Sequence, residues 1–136
     1  MNIREATPED YDALYALWLA TPGMGLSAAD SRGSIISFLA RNPGLNFVCE
    51  EGGALVGCCM CGSDGRRGYI YHTAVLPAYR GRGWGGELVR RCLQGLADAG
   101  IDKCHVFVFA DNAVGNAFWA AGWQKREDIL VYSHIT

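Results

Sequence analysis

Within the 136-residue chain, the run Arg80-Gly81-Arg82-Gly83-Trp84-Gly85-Gly86 has residue types and spacing suited to anion chemistry. It lies between a β-branched and aromatic stretch ending at Val75 and an amphipathic helical pattern beginning near Gly85. The first turn of a helix has N–H groups without intrahelical acceptors and carries partial positive charge. A glycine-dense loop that opens a helix is therefore a site for a phosphate or pyrophosphate. Glycine also removes the Cβ atoms that would hold an anion off the backbone. Gly81-x-Gly83-x-x-Gly86 satisfies the dinucleotide-binding pattern as well. Against that reading, Leu76 to Tyr79 separate strand from loop, and the preceding sequence reads as hairpin-joined strands rather than repeated βαβ units.

A second candidate is the C-x-x-C formed by Cys58 and Cys61. Leu55 to Cys61 reads as a buried strand, in which residues three apart point to opposite faces. The two thiols then cannot grip one ion, and no second ligand pair stands at zinc-site spacing. No metal site is expected. The six cysteines read as structural thiols in a reducing compartment.

The elements that must position the loop follow from periodicity and turn chemistry. Asn2–Ala6 is a strand candidate. Thr7, Pro8 and Asp10 form a capping box for a helix that buries Tyr11, Leu14, Tyr15 and Trp18. Thr21–Gly25 breaks that helix, and Ser27 with Asp30 opens a second one bearing Ile35, Phe38 and Leu39. Strands follow at 45–50, 54–61 and 69–75, joined by Glu51-Gly52-Gly53 and by the turn at 63–68. After the glycine loop, Val89, Cys92, Leu93 and Leu96 form the inward face of a helix ending at Gly100. A strand at 104–109, a helix at 112–121 and a closing strand at 129–135 complete the chain. The order β-α-α-β-β-β-α-β-α-β predicts a single α+β domain over 1–136 with a mixed central sheet. Strands 69–75 and 104–109, joined across a helix, should run parallel.

Ala74-Val75-x-Pro77 followed by Arg80-x-x-Gly83-x-Gly85 resembles the acetyl-CoA-binding loop of the Gcn5-related N-acetyltransferases, the GNAT superfamily. About thirty residues later, Asn112 begins a block of small residues, the aromatic pair Phe118-Trp119, and Gly122-Trp123, which is also similar to that family. The resemblance implies a GNAT fold and an acetyl-CoA-dependent N-acetyltransferase acting on a primary amine of a small molecule or peptide. By position, it implies that Thr73, Ala74 and Val75 offer backbone to the pantetheine arm. Arg80, Gly81, Arg82, Gly83, Trp84 and Gly85 would wrap the pyrophosphate. Asn112 would help hold the pantetheine, a position that also suits a helix cap. Thr21–Asp30 would shape the acceptor site.

The family's usual proton donor, a tyrosine seven residues after the asparagine, is Trp119 here. An indole N–H is no useful acid. That departure leaves open a second reading, a catalytically silent acetyl-CoA-binding module. A base would still matter: at pH 7 a lysine-like amine is only about 0.04% neutral, an α-amine roughly 15%. Polar residues that serve as base in relatives match Tyr69 and Tyr71. Alternation puts Tyr69, Tyr71 and Thr73 on one face of their strand, and Ile70, His72 and Ala74 on the other. Tyr71 is the first catalytic candidate. His72 is the second, because histidine titrates nearest neutral pH; a bulge would reverse the order. Arg66 and Arg67 suit either an acidic acceptor or a solvated turn.

A formal charge of −2 gives no electrostatic case for nucleic acid or an anionic membrane. The N-terminus has no signal-peptide character and no apolar run reaches membrane length, so a cytoplasmic protein is expected. No cysteine stands in an evident activating environment, which favours direct acetyl transfer over an acyl-enzyme. The sequence allows a homodimer without specifying one.

Overall fold

Thr7 takes the chain out of the first strand, and the Asp10 carboxylate accepts the Thr7 N–H at 2.8 Å. The same carboxylate receives two hydrogen bonds from the Arg4 guanidinium, at 2.7 and 2.8 Å. In the computed structural model, which describes residues 1–136, this box closes a 3-10 turn at Pro8–Asp10 that runs into α1, Tyr11–Leu19. Ser27 and Asp30 form a like box around the 3-10 turn Ala28–Asp30. Helix α2, Arg32–Arg41, takes its own cap from Ser31, whose hydroxyl accepts the Ser34 N–H.

Five strands form one sheet in sequence order: β1 (Asn2–Glu5), β2 (Phe47–Glu51), β3 (Ala54–Ser63), β4 (Gly68–Val75) and β5 (Cys104–Val106). The first four pair antiparallel. Strand β5 is parallel to β4, as required for two strands joined across α3, Trp84–Asp98. Helix α4, Ala113–Ala120, follows β5.

The two faces of the sheet bury separate cores. Val48, Cys58, Met60 and Ala74 pack under α1 and α2 against Leu14, Trp18, Ile35 and Leu39. Cys49, Val56, Cys59, Cys61 and Ile70 pack on the other face against Leu88, Val89, Cys92 and Leu96 of α3. Cys58 and Cys61 thus lie on opposite faces, as strand alternation requires. All six cysteines are free, and no three His, Cys, Asp or Glu side chains are arranged to hold a metal ion.

Three sequence expectations are corrected. The strand expected at 104–109 pairs only through Val106, because Phe107 onward diverges from β4. The closing strand expected at 129–135 does not form: the segment has a strand's composition but no regular structure and no sheet partner. The uniform alternation expected along β4 fails because Cys59 pairs with Thr73 while Cys61 pairs with Ile70. Two steps on β3 thus span three on β4, a bulge at Tyr71-His72 that reverses the side-chain phase. Ile70 therefore belongs to the α3 core and Ala74 to the α1–α2 core, although residues four positions apart on a regular strand share a face.

Candidate functional site

Strand β4 continues to Val75, but its pairing to β5 ends at Ile70 and Val106. Beyond that point the β5-facing backbone of Thr73, Ala74 and Val75 has no strand opposite it. The gap opens into a cavity of about 610 Å³. Its walls are the end of β4, the Phe107–Phe109 segment, the start of α4, the glycine loop and the Thr21–Gly25 connection. An extended ligand can lie along such a splay and pair with backbone as an added strand would.

The glycine loop forms one end of this cavity. Gly83 caps α3 at φ 83° and Gly81 has φ 76°, left-handed conformations that L side chains rarely adopt. A Cβ built on Gly81, Gly83 or Gly86 would meet nothing, so the backbone is open to a ligand. A hydrogen bond from Glu87 N–H to the Gly83 carbonyl begins the helical ladder, leaving the Trp84, Gly85 and Gly86 N–H groups at the positive helix end. Arg80 Nε donates to the Val75 carbonyl at 2.7 Å, tying the loop to the end of β4. Arg82 donates to the Ala78 carbonyl and lies over the Tyr79 ring. Neither arginine forms an ion pair with a carboxylate. Arg90 and Arg91 instead pair with Glu87, and the Arg90 guanidinium holds that carboxyl down at about 2. The loop thus presents two cations and three backbone N–H groups, a set that suits a pyrophosphate.

The bulge organises the opposite end. Tyr71 and His72 both turn toward the α1–α2 layer. Tyr71 is 50% exposed, with its ring edge-on to Phe38 at 5.8 Å. Burial of the rest of the ring pushes its phenol above the ordinary tyrosine range. His72 packs on the Trp18 indole at 4.6 Å, and its Nε2 lies 2.6 Å from Asp30 Oδ1. Asp30 is buried; its other carboxylate oxygen accepts the Ser27 N–H, and the Tyr11 hydroxyl donates to its main-chain carbonyl. Thr73 has swung to the α3 face, where its hydroxyl meets Cys59 Sγ.

The sequence places Asp30 only as a cap, and its meeting with His72 was not expected. A carboxylate at the end of the Thr21–Asp30 segment facing a strand histidine across the bulge could have signalled the pair. Arg66 and Arg67 lie outside the cavity. There the Asp64 carboxylate accepts both of their N–H groups and Arg67 reaches Asp102, so they belong to a solvated turn.

Residues 11–123 match the model of the Acetyltransferase (GNAT) family. The chain belongs to the GNAT acetyltransferase family. An acetyltransferase from Yersinia pestis is 34% identical over 136 residues, covering 96% of this chain and 93% of its own. Among solved structures, an aminoglycoside 6'-N-acetyltransferase from Acinetobacter haemolyticus superposes with a TM-score of 0.81 at 18% identity, covering 100% of this chain and 99% of its own. A PaiA N-acetyltransferase from Thermoplasma acidophilum, solved with coenzyme A, gives 0.80 at 19% identity, covering 94% and 91%. The protein is accordingly an acetyl-CoA-dependent N-acetyltransferase.

In this acetyltransferase Asn112 acts as the N-cap of α4, its Oδ1 accepting the Gly115 N–H at 3.0 Å. A Cβ on Gly23 would approach its Nδ2 to 2.8 Å, so the amide sits where α4 meets the Thr21–Gly25 connection, on the cavity wall. Trp119 packs edge-on against Phe118 and Trp123, at 4.9 and 4.8 Å, and belongs to the apolar fringe of the α3 core. Trp84, first residue of α3, is half-buried and also lines the cavity. Burial pushes the Cys58 thiol up to about 12 and raises the Cys49 thiol as well, the opposite of nucleophile activation.

Proposed function

We propose that this acetyltransferase moves an acetyl group from acetyl-CoA to a primary amine of a small molecule or peptide, by direct transfer while both substrates occupy the β4–β5 cleft. One observation carries the reading. Arg80 ties the glycine loop to β4 at Val75, and three residues earlier His72 meets Asp30 at the end of the Thr21–Asp30 segment. One strand end thus joins a phosphate-binding loop to a second, separate wall suited to the acceptor. Bound acetyl-CoA supplies an activated acetyl group and a thiolate leaving group. Gly81, Gly83, the N–H groups of Trp84 and Gly85, Arg80 and Arg82 would hold its pyrophosphate. Thr73, Ala74 and Val75 would pair with the pantetheine, and Asn112 would support it from α4.

The chain's own contribution to chemistry is proton transfer and positioning. With the Asp30 carboxylate accepting the Nε2–H of His72, Nδ1 keeps its lone pair and can take a proton from the acceptor ammonium, directly or through one water. Asp30 fixes the tautomer and ring orientation, and Trp18 holds the ring from behind. Tyr71 can order that water. No cysteine lines the cleft, so no thiol is placed to take the acetyl group, which supports direct transfer. Six free thiols and no helix long and apolar enough to cross a membrane support a cytoplasmic site of action.

Initial velocities measured over a grid of acetyl-CoA and amine concentrations should give intersecting reciprocal lines, with no acetylated protein by intact-mass spectrometry. Parallel lines together with a protein heavier by one acetyl group would overturn direct transfer.

A further inference from the structure

The acceptor end of the cleft, bounded by the Thr21–Gly25 connection, is walled by apolar and aromatic side chains. Tyr69 precedes Ile70 of the α3 core and so points to the α1–α2 side, where the Phe107 ring lies 6.3 Å from it. Tyr71 faces the same side with its ring half-exposed. A Cβ on Gly25 would meet the Phe109 ring at 3.0 Å, so glycine lets that ring close on the connection. Pro22 and Met24 complete the wall. Phe107 is 65% exposed and Phe109 59%. Apolar rings left open at the mouth of a cleft mark a surface that an apolar ligand covers.

The charges around that wall are equally one-sided. No aspartate or glutamate lines the cleft, and its one arginine, Arg80, is at the phosphate end. Asp30 is buried behind His72, its two carboxylate oxygens taken by the His72 ring and the Ser27 N–H. Glu87 is paired with Arg90 and Arg91, and Asp111 is exposed outside the wall. The reacting amine can shed its proton to His72, so it need not stay charged. A second ammonium would have no such partner. A ring face attracts a cation less strongly than water hydrates it, so that ammonium would resist entering. A carboxylate beside the amine would likewise find no free cation.

We propose that the acceptor is a primary amine carried as the only charge on an apolar, aromatic body. The inference rests on the acetyl-transfer reading above and names the substrate class of the same cleft. The aromatic body lies against Tyr71, Phe107 and Phe109 while its amine meets His72. Two sources supply this chemistry: a small arylalkylamine, and the first residue of a peptide whose side chain is aromatic. Polyamines and multi-amino sugars, with their further ammonium groups, are poor acceptors. Free amino acids are poor acceptors too, because of their carboxylate.

The test measures kcat/KM by thiol release for 2-phenylethylamine, phenylalaninamide, a phenylalanine-first peptide amide, free phenylalanine, spermidine and kanamycin. The best of the first three should exceed each of the last three by about a hundredfold or more, and which one is best names the source. Phe107→Glu, and separately Phe109→Glu, puts a carboxylate at an exposed position of the wall. At least one of them should narrow the gap to spermidine by about tenfold or more, with urea unfolding as the control for the fold. A polyamine, amino sugar or free amino acid that matches the aromatic probes would overturn the proposal, as would a gap that neither glutamate narrows. If no amine releases thiol, the transfer reading fails by itself. Calorimetry on the CoA complex then still tests the wall: phenylalaninamide should bind more tightly than spermidine, and spermidine binding as tightly would overturn the proposal.

Discussion

At the residue scale one bulged step of β4 decides which side chains face the acceptor wall. A regular strand would have sent Tyr71 and His72 to opposite faces. The bulge brings both toward the α1–α2 layer and sets His72 2.6 Å from Asp30. If His72 carries the acceptor's proton, His72→Ala should lower kcat roughly a hundredfold, about 2.7 kcal/mol in the barrier, with little change in acetyl-CoA affinity. Asp30→Asn should cost less and shift the pH profile of kcat/KM, since it disturbs the imidazole rather than replacing it. Tyr71→Phe, which leaves the ring on Phe38, should stay within about tenfold of wild type. Stopped-assay kinetics on the three variants check the order; a silent His72→Ala beside an inactive Tyr71→Phe would reverse the roles. The candidates were legible as residue types, because tyrosine and histidine stand side by side on one strand. Their facing was not, because an extra residue in a ladder has no local signature in side-chain composition.

At the scale of elements, the glycine loop was the most legible part of the site. Strand, loop and helix were all expected, and α3 begins at Trp84, one residue before the expected start. The physics of the loop separates two substitutions. Gly86 lies in the first turn of α3, without a positive φ and with open space at its Cβ. Gly86→Val should leave stability within about 0.5 kcal/mol, because valine is no worse than glycine in a helix, yet weaken acetyl-CoA binding about tenfold or more by crowding the anion. Gly83→Val should weaken binding similarly and also cost about 1–2 kcal/mol of stability, since its φ of 83° strains any L side chain. Calorimetric titration and urea unfolding of both variants separate the two effects. A second element-scale prediction concerns the join of β1 to α1. Hydrogen bonds from Arg4 hold the Asp10 carboxyl below its ordinary range. A lowered folded-state pKa means that the unfolded chain binds more protons, so the contribution is complete above the ordinary carboxylate pKa of about 3.9. It is lost as pH falls through the depressed folded value. Asp10→Asn should therefore cost about 1–2 kcal/mol at neutral pH, and the difference from wild type in urea unfolding should shrink toward zero in stronger acid. A pH-independent difference would contradict the pairing.

At the scale of the whole molecule, two cores on opposite faces of one mixed sheet hold β4 rigid where its neighbour departs, and that departure makes the cleft. The element order was readable because caps, hairpin glycines and helix stripes are local signals: Thr7 and Asp10, Gly52 and Gly53, Val89 through Leu96. What lay beyond reach was long-range. Nothing in Cys104–Phe109 says that pairing stops at Val106, since that depends on how β4 and α4 are packed. Nothing in Ile129–Ile135 says that a segment of strand-like composition stays out of the sheet. The central claim, transfer of an acetyl group to a primary amine in the β4–β5 cleft, is tested most directly by following free CoA thiol from acetyl-CoA across a panel of polyamines, amino acids, amino sugars and N-terminal peptides. At least one class should give thiol release that depends on the amine, matches the acetylated amine mole for mole, and falls roughly a hundredfold in His72→Ala. Tight CoA binding with no amine-dependent thiol release across the whole panel would contradict the account.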